Sequence, residues 1–220
     1  MDFEVWEGFY REILSDFGFE KEEDERSASI LLSLLDGKKL VSQNELKRLI
    51  EGKHVIVIGG GKNLDNELDR NMKKNVIIAA DGTTTTLLKA ELVPDIIVTD
   101  LDGNINHQIS ANKKRAIVAI HAHGDNIEKI KSWTPMFEEK VFGTVQCRPF
   151  GDLHNFGGFT DGDRSVFLAH HFRANSIRLI GFDFENVGDK PNCDKKTKLR
   201  KLQWAKKLIS FLGVTEEKNG

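Results

Sequence analysis

Two aspartates one residue apart close an apolar run in Val98-Thr99-Asp100-Leu101-Asp102-Gly103. If a strand continued through them, side-chain alternation would point Asp100 and Asp102 the same way, ~6.6 Å apart at a rise of ~3.3 Å per residue. Carboxylates at that spacing can converge on one cation, and two anions held close together repel unless a metal or cationic partner intervenes. A turn is the competing explanation, because Asp-Gly pairs make turns and Asp caps helices. The neighbouring runs tip the balance. Val55 to Ile58 is followed by Gly59-Gly60-Gly61-Lys62-Asn63, Val76 to Ala80 by Asp81-Gly82 and four threonines, and Ala116 to Ile120 by His121-Ala122-His123-Gly124-Asp125-Asn126. Polar clusters therefore close four successive apolar runs, at the edge where open α/β sheets place their ligands.

Each cluster has a chemical reading beside a plainer one. A glycine-rich turn at Gly59, Gly60 and Gly61 lets backbone N–H groups approach phosphate, with Lys62 adding a full charge. It matches neither a Walker A sequence nor the spaced dinucleotide fingerprint, so a ligand-free turn accounts for it equally well. Asp81, Asp100 and Asp102 form an oxygen-rich set suited to Mg²⁺, which takes few carboxylates and completes its shell with water and phosphate oxygens. Gly82 and Thr83 begin a segment that either offers hydroxyls to a ligand or caps a helix. His121 and His123, with Asp125 on the same alternation, admit a zinc reading, but no cysteine or further histidine clearly completes a tetrahedron. The long non-periodic stretch from Arg148 to Arg164 carries Asn155, Phe159, Thr160, Asp161 and Asp163. Long ordered loops in compact domains are usually functional, and aromatics beside Asp and Asn suit a flat heterocycle stacked on one face and hydrogen-bonded at its edge. Helix capping by Thr160 or Asp161 is the plainer reading there.

The elements that must hold these residues are legible in the periodicity. The β-branched runs, with Val141 to Thr144 and Ile177 to Gly181 added, lack polar alternation and read as strands buried on both faces. The stretches between them are long enough for crossover helices. The expected fold is therefore α/β, a doubly wound, mainly parallel sheet with helices on both faces. An N-terminal helical segment (1–52) precedes this α/β domain (53–220). In that segment Trp6, Phe9, Tyr10, Ile13, Leu14 and Phe17 make one helical face that stops at Gly18, and Ser42 with Glu45 signs a capping box. Lys21 to Arg26 reads as a solvated charged run, and Ile30 to Leu35 as a second apolar segment. These apolar faces must pack on the main domain or on a second subunit, which suggests a homodimer. A closing helix from about Lys195 to Leu212 carries Leu199, Leu202, Ala205, Leu208, Ile209 and Leu212 on one face.

The totals limit the function classes. With 32 basic and 34 acidic residues in 220, charge gives no reason to expect a nucleic-acid partner. No run approaches the roughly 20 apolar residues needed to cross a bilayer, so no membrane role is expected. Cys147 and Cys193 form no Cys-x-x-Cys pair, and no secretory leader is evident, so a reducing cytoplasm is the expected location.

Taken in order, Ala80-Asp81-Gly82, Pro94-Asp95, Asp100-Leu101-Asp102-Gly103, His121-Ala122-His123-Gly124-Asp125-Asn126 and Gly158-Phe159-Thr160-Asp161-Gly162-Asp163-Arg164 resemble the archaeal 6-hydroxymethyl-7,8-dihydropterin pyrophosphokinase family. That family is itself similar to the catalytic domain of thiamine pyrophosphokinase. The resemblance covers roughly residues 54–185, and no counterpart of the β-rich second domain of thiamine pyrophosphokinases is evident. It implies ATP as co-substrate, Mg²⁺ as cofactor and a pterin alcohol as acceptor, with AMP released. It places Asp81, Asp100 and Asp102 on metal, and Asp125 on metal or on the acceptor hydroxyl. His121 or His123 would contact phosphate or take the proton, Arg164 would meet the transferred phosphates, and the Asn155 to Asp163 loop would hold the pterin. Thiamine as acceptor, a nucleotide-sugar transferase and a non-catalytic nucleotide-binding module are the alternatives.

Overall fold

The computed structural model describes residues 1–62, 64–187 and 194–214. Seven strands form one parallel sheet: β1 (His54–Ile58), β2 (Val76–Ala80), β3 (Ile96–Thr99), β4 (Ile117–Ala122), β5 (Val141–Val145), β6 (Leu153–His154) and β7 (Ser176–Ile180). Their spatial order is β6-β5-β4-β3-β2-β1-β7. Six strands follow the apolar runs closely. The seventh, β6, lies inside the Arg148 to Arg164 loop and is too short to carry a pattern of its own.

Nine α-helices among the described residues flank the sheet: α1 (Phe3–Phe17), α2 (Lys21–Leu35), α3 (Gln43–Ile50), α4 (Leu64–Glu67), α5 (Thr83–Lys89), α6 (Ile105–Lys113), α7 (Ile127–Trp133), α8 (Asp161–His171) and α9 (Lys195–Phe211). The chain steps from β1 to β6 in one direction, and the right-handed crossovers put α5, α6 and α7 on one face. On that face Ile56, Ile77, Ala79, Ile97, Val118 and Ile120 meet Leu87, Ile105, Ala111 and Ile130. The long return from β6 to β7 carries α8 across the other face. There Val57, Ile78, Val98 and Ala119 pack with Val166 and Leu168, with Leu46 and Ile50 of α3, and with Ala205 and Ile209 of α9. Alternate residues of one strand thus feed opposite cores, and this is why the runs are apolar without interruption.

The N-terminal helices belong to the same core. Trp6, Tyr10, Ile13, Leu31 and Leu35 are buried against the β3-β4-β5 side of the sheet. Burial of an aliphatic side chain such as Ile13 or Leu31 contributes about 1.5–3 kcal/mol. Their apolar faces are therefore covered within the chain, and the reason for expecting a second subunit to cover them falls away. Gly18 ends α1 with φ +68, and Ser42 and Glu45 form the expected capping box of α3. Two expectations need correction. The charged run Lys21 to Arg26 is the opening of α2, and Asp24 within it is only 3% exposed. On α9 the buried stripe is Ala205, Leu208 and Ile209, while Leu199 is exposed, because α9 contacts the sheet along a narrower stripe than its leucines mark. No described helix is long and apolar enough to cross a membrane.

Candidate active site

The carboxyl ends of the strands line a crevice of about 1030 Å³, bounded on one side by the start of α2 and on another by α9. Its floor is a set of three carboxylates. Oxygens of Asp81, Asp100 and Asp161 all lie within 4.8 Å of one another. Asp81 follows β2 with φ +40, a left-handed conformation that costs a non-glycine residue of order 1–3 kcal/mol and persists where surrounding contacts fix it. Here the contacts are three donors to Asp81 Oδ1: Thr99 Oγ1 at 2.6 Å, Gln108 Nε2 at 2.9 Å and the Gly103 N–H at 3.1 Å. The second oxygen, Oδ2, faces Gly103, where a Cβ would come within 2.7 Å of it. Close approach therefore requires the glycine of the Asp102-Gly103 pair.

The strand does not continue through the Asp-x-Asp pair. β3 ends at Thr99, and Leu101 adopts φ +67 with its side chain buried, so the chain reverses between the two aspartates. Asp100 turns inward and Asp102 outward. The expected same-face geometry is therefore replaced by a turn, with Asp102 at the crevice rim in an ion pair with Lys129. Asp161, the first residue of α8, occupies the third position of the cluster.

Electrostatics at the triad are uneven. Burial, followed by the nearby Asp100 charge, pushes the Asp161 carboxyl well above its ordinary range despite the Arg164 Nη1 hydrogen bond at 3.2 Å. Burial also raises Asp81, against the hydrogen bond from Thr99, and the Asp100 charge adds to the rise. For Asp100 burial acts upward too, but the hydrogen bond and charge of His123, with Arg164 and Lys129, outweigh it and hold the carboxylate below its usual value. His123 Nε2 lies 3.5 Å from Asp100 Oδ2, while Nδ1 accepts the Asp125 N–H at 3.3 Å. Asp100 Oδ1 is buried without a hydrogen-bond partner among the described residues. A buried anionic oxygen in that state is costly, and a hard cation bound by few carboxylates would satisfy it. The three-carboxylate donor set fits Mg²⁺.

The histidines divide. His123 borders the crevice, whereas His121 lies behind it, is buried, and hydrogen-bonds Thr144 Oγ1 at 3.0 Å. Burial, then the neighbouring Arg164 charge, lowers its basicity well below the ordinary histidine value. His121 shares the alternation of His123, with ring centroids 6.1 Å apart, but lies deeper, inside β4, and is sealed from the crevice by burial. Asp125 is exposed at the rim.

Arg164 is buried, with Nη1 on Asp161 and Nη2 on Gln146 Oε1 at 3.3 Å. Gln146 in turn donates from Nε2 to Asp24 Oδ2 at 2.8 Å. Asp24 also accepts the Tyr10 hydroxyl at 2.6 Å and the Gly124 N–H at 2.8 Å. The first two helices are thereby tied to the guanidinium. Sequence reasoning missed Asp24 and Gln146. Asp24 lies on the helical stripe of Ser27, Ala28, Leu31 and Leu35, and Gln146 directly follows β5, so both carried a signal.

Gly59, Gly60, Gly61 and Lys62 line the crevice, and Asn63 lies outside the described residues. The N–H groups of Gly59 and Gly61 donate to Ile180 O and Gly181 O, so they are not free for phosphate. A Cβ at either glycine would meet Gly181 O at 2.8 Å, which makes backbone packing between β1 and β7 the reason for these glycines. Gly82 and Thr83 also border the crevice, with the Thr83 hydroxyl turned to Ile58 O.

In the long loop, Phe159, Thr160 and Asp161 face the crevice. Asn155 does not: it donates to Gln146 O and Cys147 O and accepts the Gly157 N–H, bonds that fold the loop. Asp163 is fully buried and accepts the N–H groups of Phe159 and Thr160 together with the Thr160 hydroxyl, completing the α8 capping box. These two are corrected from acceptor contacts to supports of the loop, because every strong acceptor they carry is used locally.

With this geometry in place, comparison with known proteins becomes informative. The family model described as 6-hydroxymethylpterin diphosphokinase MptE-like matches residues 31–189. A protein of Methanocaldococcus jannaschii called 6-hydroxymethyl-7,8-dihydropterin pyrophosphokinase is 40% identical, covering 96% of each chain. A protein of the same description from Methanothermobacter thermautotrophicus is 40% identical over 100% of this chain and 97% of its own. Among solved structures, a MAf glycosyltransferase from Magnetospirillum magneticum has 17% identity and a TM-score of 0.43, with 80% of this chain and 29% of that one covered. Thiamine pyrophosphokinase from Bacillus subtilis has 17% identity and a TM-score of 0.38, with 74% and 58% covered. Those two overlays are too loose to bear on function. The full-length identity and the family match agree, and the chain belongs to the 6-hydroxymethylpterin diphosphokinase MptE-like family.

Proposed function

We propose that the crevice transfers a diphosphate group from ATP to the hydroxymethyl oxygen of 6-hydroxymethyl-7,8-dihydropterin, giving the pterin diphosphate and AMP. The acceptor oxygen forms a bond to the β-phosphorus, the bond from that phosphorus to the α-bridging oxygen breaks, and the hydroxyl proton is lost. The observation that carries the reading is the Asp81, Asp100 and Asp161 cluster with its unpartnered Asp100 oxygen, placed where α/β sheets bind their ligands. Relatives that match the chain end to end bear the name of this activity.

Phosphoryl-type transfer depends chiefly on positioning and on neutralising charge. Mg²⁺ held by the triad supplies that neutralisation to the phosphate oxygens when bound. The chain's own residues do the rest. Arg164, fixed by Asp161 and Gln146, holds a positive charge beside the carboxylates without having to reorganise. His123 orients Asp100. Its Nδ1 accepts a backbone N–H, which turns Nε2 toward Asp100. Asp125, exposed at the rim beside His123, orients the acceptor hydroxyl and takes its proton. Phe159 and Phe182 border the crevice and offer ring faces to a planar heterocycle. The reading places the protein in a reducing cytoplasm, with Cys147 a buried free thiol.

The test supplies Mg²⁺ and ATP with the hydroxymethyl dihydropterin or with thiamine and measures nucleotide products by chromatography. AMP in stoichiometry with a pterin diphosphate is expected. AMP formation with thiamine alone, or ADP as the nucleotide product, would contradict the reading.

A further inference from the structure

The cations that border the crevice are not equivalent. Arg164 is committed to Asp161 and Gln146, and Lys129, outside the lining, is committed to the rim residue Asp102. Lys62 and Lys198 are exposed at the rim. Lys201 of α9 differs from all of these. It is half-buried, borders the crevice, and forms no ion pair with a carboxylate among the described residues. Its ammonium sits 5.8 Å from the Phe19 ring centroid and 5.7 Å from that of Phe159. Those rings lie 6.5 Å apart, and Phe17 packs on Phe159 at 5.1 Å, so the lysine is steadied by an aromatic wall built from two distant segments.

A lysine placed this way has lost part of its hydration without gaining a carboxylate. Ring faces attract an ammonium without giving its N–H groups the directed acceptors that a charge-assisted hydrogen bond supplies. Burial and the Arg164 charge weaken its hold on a proton, while Asp125 and Asp100 oppose them. The ammonium is thus within electrostatic reach of both the triad and the rim, on the α9 side of the site. Thr197 and Lys198, one turn earlier on the same helix, border the crevice as well. An anion that brings several oxygens between α9 and the triad would satisfy the lysine and the carboxylate-bound cation together.

We propose that Lys201 is the anchor for the terminal phosphates of the nucleotide, with α9 forming the phosphate-facing wall of the crevice. The ligand class is a polyphosphate, and the recognised part is the β,γ-diphosphate, the group transferred. This rests on the diphosphotransferase reading above. Lys201 then discriminates nucleotides by phosphate number: ATP and inorganic triphosphate engage it, whereas AMP does not. Product AMP would accordingly be held without the lysine's contribution.

The experiment is titration calorimetry of the full chain with Mg²⁺, using ATP, inorganic triphosphate and AMP. Lys201→Met keeps an apolar stem over the two rings and removes the charge, while Lys201→Arg keeps the charge. Loss of one hydrogen bond to a charged group corresponds to about 10- to 100-fold in affinity. Lys201→Met is expected to weaken ATP and triphosphate by about that factor and AMP by less than about threefold, with Lys201→Arg recovering most of the loss. Unchanged ATP affinity in Lys201→Met, or an equal loss for ATP and AMP, overturns the assignment while leaving the transferase reading in place. Failure of the unaltered protein to bind ATP or triphosphate overturns the transferase reading and the assignment with it. Acetylation of Lys201 in the unaltered protein, followed by mass spectrometry, gives an answer that does not depend on a variant folding. Triphosphate should block it and AMP should not, and equal protection by both contradicts the proposal.

Discussion

Gln146→Leu isolates the link between the N-terminal helices and the guanidinium. Gln146 is 3% exposed, and its side-chain amide donates to Asp24 at 2.8 Å and accepts from Arg164 at 3.3 Å. Leucine fills similar space and removes both bonds, while the Gln146 carbonyl that receives the Trp6 indole N–H at 2.7 Å stays in place. A hydrogen bond to a charged group is worth about 1.5–3 kcal/mol, and the longer Arg164 contact belongs at the low end. Asp24 retains its bonds from Tyr10 and Gly124, which limits the loss. A destabilisation of about 2–4 kcal/mol in urea unfolding therefore follows. Among the described residues the Arg164 side chain then keeps only Asp161 as a hydrogen-bond partner, and its guanidinium can swing. A fall in kcat of about 10- to 100-fold at saturating ATP is the kinetic counterpart. The pair Asp24→Asn and Gln146→Leu, measured singly and together, should show coupling of about 1 kcal/mol or more. Unfolding within about 0.5 kcal/mol of the unaltered protein together with full turnover would refute the positioning argument.

Two further predictions are less elaborate. Mg²⁺ affinity by calorimetry should fall about tenfold or more in Asp161→Asn and change less than about threefold in Asp102→Asn, because the first removes a buried ligand and the second an exposed carboxylate already paired with Lys129. The opposite ranking would return the metal to the Asp-x-Asp pair. Stability should decline as pH falls from about 6.5 toward 4, since burial, followed by the N-terminal ammonium, lowers His171 to about 4 and the unfolded chain takes up the proton first. The stabilisation is complete above the unfolded value and lost as pH drops through the folded one. With His171 partly exposed the contribution is on the order of 1–2 kcal/mol, and His171→Gln should flatten the urea-midpoint profile over that window. An unchanged slope in that variant would assign the acid sensitivity to other groups.

The sheet was legible because parallel strands buried on both faces leave uninterrupted β-branched runs, and all six runs end within two residues of the strands they mark. Their order was not, since the position of β7 beside β1 depends on a long return crossover that no local pattern encodes. Of the site, Asp81 and Asp100 were readable as acidic strand ends. The exchange of Asp102 for Asp161 was not, because it turns on the left-handed Leu101, and a buried leucine at positive φ carries no propensity signal. The glycines after β1 were visible as a special turn, yet their cause is the approach of Gly181, 120 residues further along the chain. Asp24 was hidden by its neighbours: five charged residues surround it in Lys21 to Arg26, and only its place on the helical stripe separates it from them.

In the proposed reaction Asp81, Asp100 and Asp161 together hold the divalent ion that serves ATP. Anomalous diffraction from crystals grown with Mn²⁺ and a non-hydrolysable ATP analogue tests it most directly. A manganese peak bonded to oxygens of all three residues is expected, with Asp100 Oδ1 among them. A peak held by Asp102 and Asp125, with the Asp81 and Asp161 carboxylates bound to no metal, would contradict it.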